Sequence, residues 1–145
     1  MIAVDTNLLV YAHRTDAAEH AAALSVLRGL AEGRARWALP WSCIHEFIAI
    51  VTHPRIFSPP TPPPAALAQV DAWLESPVVT TLAESTGYWE RLRDQIKTGA
   101  VAGARVHDAR IAALCLHHGV RELWSADRDF GRFPQLAVRN PLIGA

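Results

Sequence analysis

The amino-acid sequence predicts an α/β sandwich around a mainly parallel sheet. Short apolar runs of strand length alternate with longer helix-forming segments. Gly, Pro and polar clusters separate them. A third observation sets the scale: the chain has 145 residues, half of them hydrophobic and 19% charged. That suits one domain, residues 1–145, with a sizeable core, and excludes a disordered chain.

The elements follow in order. Ile2–Val4 reads as a short buried strand, and residues 8–12 continue as a short helix. Residues 17–32 are rich in Ala and Leu. With Asp16 as N-cap and Gly33 as the stop they read as a full helix. Residues 36–39 form a strand before Pro40, and Ser42 caps a helix running to about Thr52, stopped by Pro54. The segment FSPPTPPP, residues 57–64, places five prolines in eight positions. It excludes a helix interior or a central strand and reads as a stiff surface connector. Helix resumes over 65–74, residues 78–80 are a strand, and 84–97 are a helix. Residues 105–118 are another helix, with Gly119 in the C′ position. Glu122–Trp124 is a strand, and residues 127–133 form a turn or short helix. There is no internal repeat.

Charge and composition narrow the function. Fourteen Lys and Arg balance fourteen Asp and Glu, so the field of the whole chain selects no partner. A grip on nucleic acid must be local, or come from a second subunit or a metal ion. Cys43 and Cys115 lie in apolar helical stretches and match no zinc or redox spacing, so they read as small buried hydrophobes. The first residues carry no basic n-region, and no apolar run reaches transmembrane length. The expectation is a cytoplasmic protein with no membrane partner.

Four carboxylates stand in apolar settings. Asp5 ends the first strand, and Asp127 follows the last by two residues, in LWSAD. In parallel sheets both belong at the rim where active sites gather. Glu46, in SCIHEFIAIVT, shares its helical face with Ser42, Cys43, Ala49 and Ile50. Asp108, in VHDARIAALCLHHG, shares its face with Ile111, Ala112 and Cys115. Asp94, by contrast, has Glu90 and Lys97 on its face and reads as solvated surface. Singly, each acid has an ordinary explanation: Asp5 a helix cap, Glu46 an Arg partner, Asp108 a cap, and Asp127 or Asp129 of SADRDF a turn. Together they conflict, because inward acids are costly and repel one another. Divalent cations resolve the conflict, and hard oxygen ligands suit Mg²⁺ or Mn²⁺. Such a site can activate water and offset charge on a leaving oxygen in phosphodiester hydrolysis.

Other motifs fall away. HEFIA, residues 45–49, opens like a zinc-protease helix but has Ala where the second His belongs. His117 and His118 close a helix, where a cation suits the dipole, and His107 reads as surface. No Gly-rich phosphate loop or nucleophile elbow is present. The five tryptophans do not fall at stacking-platform spacing and read as core or interface. Asn7 in place of a second Asp argues against an Asp-nucleophile phosphatase; a metal-dependent DNA nuclease is the neighbouring alternative.

MIAVDTNLLVYA, WSCIHEF, VHDARIAAL and LWSADRDFGRFPQL together resemble the PIN-domain ribonucleases, and more narrowly the VapC toxins of bacterial toxin–antitoxin systems. The resemblance covers essentially the whole chain. It implies a PIN-like three-layer α/β/α sandwich and a Mg²⁺- or Mn²⁺-dependent endoribonuclease acting as a toxin. Asp5, Glu46, Asp108 and Asp127 match the family's four acids in order, Asp5 and Asp108 as the most direct metal ligands. Asp129 is an alternative to Asp127. Asn7 and Ser125 match polar positions that hold the acids or the scissile phosphate. RNA as substrate, a VapB-like antitoxin and a homodimer are the implied partners. A non-catalytic PIN-like module that binds RNA or antitoxin is the alternative. The Pro-rich segment departs from the family pattern and is expected to shape an antitoxin groove or the RNA entrance. Arg110, Arg128 and Arg132 are candidates for RNA phosphate contacts, or plain surface.

Overall fold

The computed structural model describes residues 1–143. Its strands are β1 (Ile2–Val4), β2 (Trp37–Pro40), β3 (Val79–Leu82), β4 (Glu122–Trp124) and β5 (Ala137–Arg139). Its α-helices are α1 (Thr6–His13), α2 (His20–Glu32), α3 (Trp41–Val51), α4 (Pro63–Leu74), α5 (Tyr88–Gly99) and α6 (Val106–His117). The strands form one sheet in the order β3-β2-β1-β4-β5, and every neighbouring pair is parallel. The first two crossovers step one way from β1, and the third returns across it to β4. Right-handed crossovers then put α1 to α4 on one face and α5 and α6 on the other, which gives the three layers.

β1 sits in the middle, paired with both β2 and β4. Ala3 and Val4 are fully buried, as are Leu8 and Leu9 on α1, Phe47 on α3 and Leu123 on β4. Parallel strands covered on both faces read as continuous apolar runs, which is why three-residue strands were visible in the sequence.

Several boundaries differ from the expectation. Asp16 does not cap α2. Its carboxylate accepts from the Arg14 guanidinium (2.6 and 2.9 Å), and the helix starts at His20 with no side-chain cap. Ser42 does not cap α3 either, because the helix already starts at Trp41 behind Pro40, leaving Ser42 buried in its first turn. The helix expected over 84–97 starts only at Tyr88, where Gly87, at φ +90°, turns the chain into it. β5 was not anticipated. It is a three-residue edge strand with its two ends exposed, so it carries no apolar run.

The Pro-rich connector is tied to the C-terminal end of α1. Thr61, buried within it, donates its N–H to Val51 O (2.7 Å). Its hydroxyl lies 3.1 Å from His13 Nε2 and accepts from Arg14 Nη1 (3.2 Å). His13 Nδ1 meets Gln69 Oε1 (3.0 Å), and the Arg14 guanidinium lies 4.3 Å from the Phe57 ring centroid. This anchor is eight residues along α1 from Asp5, about 12 Å. The segment is therefore a strap at the far end of α1 rather than a wall of the acid site. Thr61→Val keeps the shape and removes the hydroxyl, so it should lower stability by about 1–2 kcal/mol in urea unfolding. An unchanged midpoint would contradict this anchoring.

Candidate active site

The strand order reverses at β1, with β2 on one side and β4 on the other. In parallel sheets this switch point, beyond the carboxyl ends of the strands, is where ligands bind. Asp5 and the Ser125–Asp127 turn both leave the sheet there. Asp5 N–H still donates to Trp124 O (2.9 Å), and Ser125 N–H to Arg139 O (2.9 Å), so the ladder fixes both residues.

Asp5 is only 5% exposed. Its Oδ1 accepts from Thr6 N–H (2.7 Å), capping α1, and its Oδ2 accepts from the Ser125 hydroxyl (2.6 Å). The cap reading of Asp5 thus holds, and the same carboxylate stands at the candidate site. The Ser125 oxygen in turn accepts from Asn7 Nδ2 (3.3 Å) and Asp127 N–H (3.0 Å). Asn7 Oδ1 accepts from Ala126 N–H (3.3 Å). One network therefore joins Asp5, Asn7, Ser125 and Asp127. Asp127 Oδ1 accepts from Asp129 N–H (2.8 Å) and starts a 3₁₀ turn over Arg128–Arg132.

Burial pushes the Asp5 carboxyl up to about 6, and the charges of Glu46 and Asp108 push the same way. The bonds from Ser125 and Thr6 hold it down. Glu46 comes from α3 and Asp108 from the first turn of α6, two helices that meet beside the rim. Burial raises both carboxyls; Asp108 adds to the rise at Glu46, and Asp127 adds to it at Asp108. Cys43, fully buried, has its sulfur 3.9 Å from Asp5 Oδ1, and burial pushes its thiol well up. It stands uncharged behind Asp5.

Arg105 is the residue sequence reasoning missed. It precedes α6, and its guanidinium pairs with Asp108 (3.5 Å) and with Asp129. Its position three residues before Asp108 was the available signal, but it read as part of the helix. Arg110 pairs with Glu84 (3.3 Å), an ordinary surface contact, while Arg128 and Arg132 are exposed. Trp37 and Trp73 are buried as expected, whereas Trp41 is 36% and Trp89 60% exposed.

A divalent cation suits this set. The charges of Glu46 and Asp108 raise Asp5, Asp108 raises Glu46, and Asp127 raises Asp108, a repulsion that a cation would relieve. The buried Thr6 hydroxyl, next to Asp5, has no hydrogen-bond partner among the described residues. No three His, Cys, Asp or Glu side chains among the described residues close into a cage.

Ser125→Ala removes a donor that holds Asp5 down. Its titration midpoint, followed by carboxyl-carbon NMR, should move above about 6. A midpoint that stays put would show that Ser125 does not tune the acid.

Residues 2–136 match the PIN domain family. Ribonuclease VapC43 of Mycobacterium tuberculosis (strain H37Rv) is 40% identical over 144 residues, which span 99% of this chain and 97% of that protein. Among solved structures, VapBC2 from Rickettsia felis, bound to a DNA fragment from its promoter, aligns with a TM-score of 0.64. It is 20% identical, over 97% of this chain and 98% of the other. Mycobacterium tuberculosis VapC20, a sarcin-ricin loop cleaving toxin, aligns with a TM-score of 0.67 at 18% identity, over 90% of this chain and 93% of the other. The two structures bear on the fold, and the family match and the VapC43 identity on descent. By the match over residues 2–136 and the 40% identity to a VapC ribonuclease along almost its whole length, the chain belongs to the PIN-domain family.

Proposed function

We propose that this protein is a divalent-metal-dependent endoribonuclease and the toxin of a toxin–antitoxin pair, with Asp5, Glu46, Asp108 and Asp127 as its catalytic acids. One observation carries the reading. A buried carboxylate at the sheet's switch point, fixed through both oxygens, lies in the field of two further acids on converging helices. A structural role needs no such concentration of like charge. The kinship with VapC ribonucleases supplies RNA as the substrate, and the VapBC2 neighbour supports an antitoxin as the partner; the homodimer rests on the family resemblance alone.

When bound, Mg²⁺ or Mn²⁺ supplies positive charge to the phosphate oxygens and lowers the pKa of the attacking water. The chain's own residues do the rest. Asp5 and Asp108 present carboxylate oxygens as direct ligands. The Ser125 hydroxyl and Thr6 N–H hold Asp5 in one rotamer, and Asn7 locks Ser125. Glu46 makes no hydrogen bond or ion pair among the described residues, and burial raises its carboxyl. Its carboxylate is the group suited to take a proton from the nucleophile. Asp127, whose second oxygen is uncommitted, is the fourth acid. Asp129 is held by Arg105 and serves that pair instead. The near-neutral chain grips poorly through charge alone, which favours a short exposed loop of RNA over a long duplex.

The test is cleavage of a labelled structured RNA, single-stranded DNA and a phosphomonoester, each with Mn²⁺. Cutting confined to RNA is expected. Cutting of DNA, or release of phosphate from the monoester, would move the protein to another class. No cutting of any substrate, with RNA still bound, would leave a binding module.

A further inference from the structure

Arg105 sets a positive charge against the candidate acids. Gly103, at φ +59°, opens the 3₁₀ turn Gly103–Arg105 that runs into α6, so Arg105 lies one helical turn before Asp108. Side chains at that spacing meet along the helix surface. One guanidinium nitrogen serves both acid partners: Nη1 pairs with Asp129 and reaches Asp108 Oδ2 only at 3.5 Å. Nε and Nη2 make no hydrogen bond among the described residues. The side chain is 42% exposed, and with Ala104 and Asp108 it lines an open cavity of about 300 Å³.

The two partners are unequal. Asp108 is a candidate metal ligand and Asp129 is not. A dication carries twice the charge of a guanidinium and prefers the same hard oxygen. On Asp108 it would displace Arg105 from the long contact, while the pair with Asp129 keeps the guanidinium at the rim. The bond to Asp129, and the charges of Asp129, Asp108 and Asp127, hold Arg105 above its ordinary value, so it stays charged. A planar fork with uncommitted N–H donors, opening on a cavity beside a metal ligand, matches the paired oxygens of a phosphodiester. Arg110 is differently placed, taken by Glu84. In a chain of no net charge, the grip on phosphate has to be local in this way.

We propose that Arg105 is the counter-ion of Asp108 while the acid site holds no metal, and the clamp on the RNA phosphate once a divalent cation takes Asp108, with Asp129 as the residue that positions it. The clamp rests on the ribonuclease reading for its phosphate. The counter-ion role rests on the geometry of this chain alone.

Two variants test both roles. Arg105→Gln removes the charge, and Arg105→Lys keeps the charge but loses the fork. An exposed ion pair contributes little to stability, so both should fold, which a thermal melt checks. Mn²⁺ binding to the RNA-free protein is followed by the EPR signal of the free ion. Arg105→Gln should bind Mn²⁺ severalfold more tightly than the wild type, and Arg105→Lys about as the wild type does. A residue that only braced α6 would not tighten metal binding when removed. At a fixed saturating Mn²⁺, kcat/KM for a labelled RNA stem-loop is then measured across a range of KCl. Arg105→Gln should lose about tenfold to a hundredfold, and its log–log salt slope should be shallower by about 0.7, the share of one phosphate contact on a single strand. Arg105→Lys should keep the slope and recover only part of the rate. An Mn²⁺ affinity unchanged or weakened in Arg105→Gln would overturn the counter-ion role. A wild-type rate and salt slope in that variant would overturn the clamp and leave the ribonuclease standing. A wild-type chain that cuts no RNA would remove the ribonuclease reading and the clamp together, while the Mn²⁺ titration still decides the counter-ion role.

Discussion

Asp5→Asn should reduce metal-dependent RNA cleavage by about a hundredfold or more while leaving the protein folded. The geometry gives two reasons for the loss. An amide is a poor ligand for a hard dication, and it does not carry the charge that draws the ion in. It also disturbs the network. The Ser125 oxygen already accepts two N–H bonds, from Asn7 and from Asp127, and donates its own proton to Asp5 Oδ2. An asparagine that keeps its carbonyl on the Thr6 N–H must turn its NH₂ towards that oxygen, a third donor with nothing left to accept it. Stability moves less, because two effects oppose. Losing the bonds costs about 1–3 kcal/mol, and removing a buried charge returns about the same. Cleavage assayed with Mn²⁺ beside a thermal melt separates the two quantities. Undiminished cleavage by a folded variant would remove Asp5 from the site, and an unfolded variant would contradict the stability estimate.

The candidate acids were more legible in the sequence than the bonds around them. Asp5, Glu46 and Asp108 were visible because each interrupts an apolar pattern that has a known period. Asp94, on a charged face, was set aside by the same rule, and it is exposed. The supporting bonds are non-local: Ser125 reaches Asp5 across 120 residues, and Asn7 reaches Ser125 across 118. No window of sequence contains both partners, so only the resemblance to the family suggested those two residues. Arg105 and Asp129 meet for the same reason, through the packing of the segment before α6 against the turn after β4. Among the elements, buried strands β1, β2 and β4 were read to within a residue, while exposed β5 carried no pattern to read. Caps failed where a short polar side chain had a competing partner, as at Asp16, or where proline had already started the helix, as at Ser42.

Without divalent metal, the wild-type protein should lose stability as pH rises from about 4 to about 6, and Mn²⁺ should restore it at neutral pH. The direction follows from proton binding. The Asp5 carboxyl goes from an ordinary 3.8 to about 6 on folding, so between those values the folded state holds more protons than the unfolded one. Stability then falls with rising pH through that interval, and above it the cost is fully present, about 3 kcal/mol. Glu46 and Asp108 are raised as well and add to the same slope. A cation that binds only the folded protein opposes this by mass action, by about 3 kcal/mol at a hundredfold excess over its Kd, or on the order of 10 °C in Tm. Asp5→Asn removes the largest group from the balance. The stability of the variant relative to the wild type should therefore rise with pH through the interval in EDTA and fall back when Mn²⁺ is added to the wild type. Parallel curves at every pH would mean that Asp5 is not a strained carboxylate. A Tm unmoved by millimolar Mn²⁺ or Mg²⁺ would mean that the repulsion among these acids is not there to receive an ion.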